Sequence, residues 1–93
     1  MFPDLHPFSY VEVTVSTDVV SLSVPAETCF AVLRFEDGPV RYRVDGGAPS
    51  TTVGLPGEHG DQLPLWYQSV AQFRVIRSGG ADGVVRATFY RKR

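Results

Sequence analysis

Apolar and polar residues alternate along most of this chain with a period of two. Val11, Val13 and Val15 share one parity while Tyr10, Glu12, Thr14 and Ser16 take the other, the pattern of a strand with one face buried. After Thr17-Asp18 the alternation resumes with Val20, Leu22 and Val24, and Pro25 ends it. Residues 29–35 are apolar at both parities, with Phe30 and Val32 on one side and Cys29, Ala31, Leu33 and Phe35 on the other. That predicts a central strand covered on both faces. Asp37-Gly38-Pro39 supplies turn chemistry, so residues 40–44 read as the return strand of a hairpin, with Val40, Tyr42 and Val44 inward and Arg41 and Arg43 outward.

Residues 50–53 are short and β-prone, and three glycines and a proline in residues 54–60 mark a loop. Pro64 cannot donate to a ladder, which places residues 62–67 on a sheet edge. Residues 71–77 are strand-like, and the last strand turns Val85, Ala87 and Phe89 inward against Arg86, Thr88 and Tyr90. No window carries a helical stripe. Seven to eight short strands in a chain of 93 residues predict an all-β fold, a small antiparallel two-sheet β-sandwich of jelly-roll-like form.

Residues 1–8 differ in kind, with two prolines and the large apolar residues Phe2, Leu5 and Phe8. They read as an extended arm ahead of a single domain at residues 9–93. Three readings fit: the arm folds over its own sandwich, it docks on a neighbouring subunit, or it is disordered.

Nine basic and ten acidic residues leave a formal charge of −1, so composition supplies no bulk attraction to nucleic acid or to an anionic membrane. No basic region or continuous apolar core of a signal peptide is visible, and the apolar runs are too short for a membrane helix. The expectation is a soluble protein made in a cytoplasm. Cys29 stands alone in an apolar run and reads as a buried structural thiol.

Chemistry is sparse. His6 and His59 lack zinc spacing, the Glu58-His59-Gly60-Asp61 loop matches no ordered calcium site, no serine sits in a nucleophile elbow, and the glycine pairs read as turns. The chain is therefore expected to be no enzyme and to use no cofactor or metal. What remains are surfaces. The outward arginines Arg41, Arg43 and Arg74 suit planar contacts to a partner. Trp66 and Tyr67 are adjacent on an edge segment, where either both join the core or one anchors there while the other is exposed. The candidate interface is thus Phe2, Leu5, Phe8, Arg41, Arg43, Trp66, Tyr67 and Arg74.

The order Glu36-Asp37-Gly38-Pro39-Val40-Arg41-Tyr42-Arg43-Val44-Asp45-Gly46, then Ala48-Pro49, Val53-Gly54, Gly60-Asp61 and Phe73-Arg74-Val75-Ile76-Arg77, resembles small β-rich structural proteins of tailed bacteriophages and prophages. The resemblance implies a virion protein assembled in the bacterial host, a head-decoration, neck or tail-accessory component. Its partners would be the capsid, neck or tail proteins and copies of itself. The alternative reading is a carbohydrate-binding module that stacks a sugar on Trp66 or Tyr67.

Overall fold

The computed structural model describes residues 4–92. Eight strands and one short helix follow in the order β1 (Leu5–Val15), β2 (Val20–Ser21), β3 (Phe30–Asp37), β4 (Val40–Arg43), β5 (Leu55–Gly57), β6 (Gln62–Trp66), α1 (Tyr67–Ala71), β7 (Arg74–Arg77) and β8 (Gly83–Lys92). They form two four-stranded antiparallel sheets, β1-β8-β3-β6 and β2-β7-β4-β5. Pairing is nested: β1 with β8, β2 with β7, β3 with β6, and β4 with β5. The chain is one long hairpin, tipped between β4 and β5 and wound so that its rungs fall into two facing layers. This is the jelly-roll order, and the fold is an all-β sandwich.

Alternation positions the core. On β8, Val85, Ala87 and Phe89 are fully buried, and Ala31, Leu33 and Phe35 meet them from the neighbouring β3. Phe35 stacks on Tyr42 at 5.3 Å and on Phe73 at 6.4 Å between ring centres, so one aromatic cluster joins the two sheets. The outward side of β3 is less covered than its apolar run predicts. Phe30 is buried, Val32 half-buried and Arg34 exposed.

The predicted hairpin at Asp37-Gly38-Pro39 is instead a crossover between sheets. Asp37 still pairs with Gly83 in the first sheet, while Val40 already pairs with Arg77 and Gly57 in the second. A three-residue turn would have set Phe35 opposite Arg41 and Leu33 opposite Arg43, apolar against charged on one face. Crossing over lets Tyr42 meet Phe35 through the core. Asp37 takes a left-handed φ of 66° to make the turn. Gly38 then passes so near the β7–β8 loop that a Cβ would lie 2.3 Å from the Ala81 carbonyl oxygen.

Three further expectations change. Residues 50–53 form no strand: the Ser50 hydroxyl accepts from the Thr52 and Val53 amides, which curls the segment into a turn. The strand comes later, at β5 inside the predicted loop, where Gly57 approaches Phe35 and Val40 so closely that a Cβ would sit 3.0 Å from both. A helical turn, α1, interrupts what reads as a purely β sequence, and it buries Val70. The boundary drawn between Phe8 and Ser9 falls inside β1, at a bulge where the register to β8 shifts between Pro7 and Ser9. Among the described residues, no helix is long and apolar enough to cross a membrane.

Candidate interaction surfaces

The second sheet turns Arg41, Arg43, Arg74 and Ile76 outward, since their neighbours Tyr42 and Val75 face the core. Register sets Arg43 directly opposite Arg74, and like charges in such a pair repel. Each guanidinium is held locally. Arg43 donates to both oxygens of Asp45, at 3.0 and 2.6 Å, while Arg41 donates to the Gly54 carbonyl at 3.0 Å and Arg74 to the Gly46 carbonyl at 3.4 Å. The Arg43 pair and the Gly47 amide hold the Asp45 carboxyl down at about 2, and the same pair raises Arg43. Three cations thus share a face with one carboxylate. Beside them lies a shallow recess of about 260 Å³ lined by Arg43, Val44, Asp45, Gly54 and Leu55. Arg41 and Arg43 on β4 and Arg74 on β7 are therefore brought together as one patch.

The first sheet has a different outer face. Arg86 on β8 donates to Glu36 of β3 at 2.6 Å, and to Glu12 at 2.6 Å and Tyr10 at 3.0 Å on β1. Arg34 adds a further bond to Glu36 at 3.2 Å. Hydrogen bonding from Arg86 lowers the Glu36 carboxyl, and Glu36 in turn raises Arg86. This network escaped the sequence reading. Its members are simply outward residues on three strands, and their meeting depends on register, which alternation does not specify.

Further along that face an aromatic row crosses three strands. Phe30 lies between Trp66 at 4.9 Å, edge to face, and Tyr90 at 5.9 Å. Neither Trp66 nor Tyr67 joins the core: they are 53% and 51% exposed. Trp66 faces outward opposite Phe30 at the last position of β6, and Tyr67 begins α1, so the rule that neighbours point to opposite faces stops between them. With Thr28, Cys29, Gln68, Ser69 and Lys92 they line an open depression of about 670 Å³ at one end of the sandwich. Cys29 is half-buried at this mouth rather than buried, because it precedes β3.

Of the arm candidates, Leu5 and Phe8 are half-buried in β1, and the Arg91 guanidinium stacks over the Phe8 ring at 4.9 Å. Phe2 lies outside the described residues. Two polar atoms of the loop that could have offered a cation site are held within the chain. His59 Nδ1 accepts from the Asp37 amide at 3.0 Å, and an Asp61 carboxylate oxygen accepts from the Glu58 amide at 2.9 Å. Among the described residues, no three His, Cys, Asp or Glu side chains converge as metal ligands. Compared with protein-family models, with curated proteins and with solved structures, the chain matches none.

Proposed function

We propose that this chain is a non-enzymatic structural component of a tailed-phage particle, a head-decoration, neck or tail-accessory protein that acts in many copies through protein contacts. The observation that carries the reading beyond resemblance is the patch of Arg41, Arg43 and Arg74 on one rigid sheet. An acidic surface would relieve the repulsion between Arg43 and Arg74 and offer carboxylates to two guanidiniums that, among the described residues, bind only main-chain oxygens. A single patch of this size gives a modest contact, and repetition on a lattice turns modest contacts into stable attachment. The test is imaging of intact particles carrying either the natural chain or the Arg41→Glu, Arg74→Glu double variant. Density on the head, neck or tail that is lost in the variant is the expected result. Particles with no density for the domain anywhere would overturn the proposal.

A second reading, a carbohydrate-binding module, is favoured by one observation: Trp66 and Tyr67 are exposed on the same depression as Thr28, Gln68, Ser69 and Lys92. Rings beside hydroxyl, amide and ammonium groups are the equipment for stacking and hydrogen bonding a sugar. Titrating glycans while following tryptophan fluorescence tests it. A response abolished by Tyr67→Ala supports glycan binding, and silence across an array of sugars removes it.

A further inference from the structure

The edge of β1 is a second surface, independent of both faces. β1 has eleven residues, ends its sheet and, among the described residues, pairs only with β8. Long edge strands invite pairing with another chain unless they are blocked. The blocks here protect one half only: Pro7 and the bulge beside it interrupt the start of β1, while residues 9–15 run on in regular register with Glu12 as their one charge. The same stretch leaves apolar surface open. Val11 and Val13 point inward yet remain half-buried, whereas Ala87 and Val85, their partners across the ladder on β8, are fully buried. Tyr10, on the outward side, is 54% exposed.

We infer that β1 pairs edge to edge with β1 of a second copy, antiparallel about a two-fold axis at Val11, joining the two first sheets into one of eight strands. The register follows from charge and shape. A two-fold axis normal to an antiparallel pair always sets one residue opposite its own copy. Centring on Glu12 would oppose two carboxylates. Centring on Ser9 or Tyr10 would drive the bulge and Pro7 into the new ladder. Centring on Val13 would leave Tyr10 beyond the paired stretch, opposite Ser16 of the copy. Centring on Val11 sets each Tyr10 hydroxyl opposite a Glu12 carboxylate of the copy, which can accept a hydrogen bond from it. It also sets Val11 against Val11 and Val13 against Ser9, closing the open seam. The interface uses neither the arginine patch nor the Trp66 depression, so the inference stands apart from the virion reading.

Three measurements test it on the full chain. Sedimentation of the natural protein at about 100 µM should give twice the mass of the chain, and a monomer there would overturn the inference. In a Cys29→Ser background, Val11→Cys should form a disulfide-linked dimer on mild oxidation, because opposed Cα atoms in an antiparallel pair lie about 4.5–5.5 Å apart. Glu12→Cys and Val13→Cys should not; equal crosslinking at all three positions, or crosslinking at 13 in place of 11, would overturn the register. Tyr10→Glu sets a carboxylate against Glu12 of the copy and should shift the protein to monomer with its β circular-dichroism spectrum unchanged. A Tyr10→Glu variant that stays folded and dimeric would overturn the pairing.

Discussion

The two outer faces of the sandwich use arginine in opposite ways. On the first sheet Arg86 reaches three oxygens on two neighbouring strands and so ties β1, β8 and β3 together across as many as 76 residues of chain. On the second sheet Arg43 binds Asp45 two residues away, while Arg41 and Arg74 reach main-chain carbonyls of Gly54 and Gly46 rather than carboxylates. One face spends its charge on its own strands. The other keeps cations side by side, a net repulsion in the isolated molecule, and leaves them suited to an outside acid. Equal numbers of charges on a surface therefore say little until their partners are known.

Perturbations of decreasing size separate these roles. Both faces hang on the same aromatic cluster, so Phe35→Ala should remove about 3–5 kcal/mol in chemical denaturation and weaken both together. A loss under about 1 kcal/mol would mean the sheets are held some other way. Arg86→Met should lower the melting temperature by a few degrees, and by more than Arg43→Met, because only the former stitches strands distant in sequence. Equal shifts would erase the distinction between the faces.

Acid should probe both faces. Glu36 and Asp45 bind protons less readily in the folded chain than their ordinary values of 4.5 and 3.8, so each stabilises the fold fully above those values and loses that contribution as pH falls. Melting temperatures should decline from about pH 4.5 downward, with the Asp45 share lost as the pH approaches about 2. Asp45→Asn should flatten the lowest part of that curve. The smallest effect belongs to Arg74→Gln, which relieves the repulsion with Arg43: stability should rise or stay within about 0.5 kcal/mol. A clear loss would show that Arg74 holds the sheet rather than offering itself to a partner.

Much of the scaffold was legible along the chain. Inward Val85, Ala87 and Phe89, the outward Arg41 and Arg43, the edge position of Pro64 and the class of fold all follow from period-two patterning and proline chemistry. Other features were not. The Asp37-Gly38-Pro39 segment has the residues of a hairpin turn, and the same residues serve a crossover; Trp66-Tyr67 reads as a strand pair, and α1 begins between them.

Alternation by itself determined which side of each strand is apolar, because that side is decided by residues two apart and needs no knowledge of neighbours. Which strands lie together was decided only when the chain closed into two layers. Any half-buried strand can pair with any other, and the choice goes to the arrangement that buries Phe35, Tyr42 and Phe73 against one another across the sandwich. The Arg86 network, the opposed Arg43 and Arg74, and the open edge of β1 are consequences of that closure, since each depends on register between strands far apart in sequence.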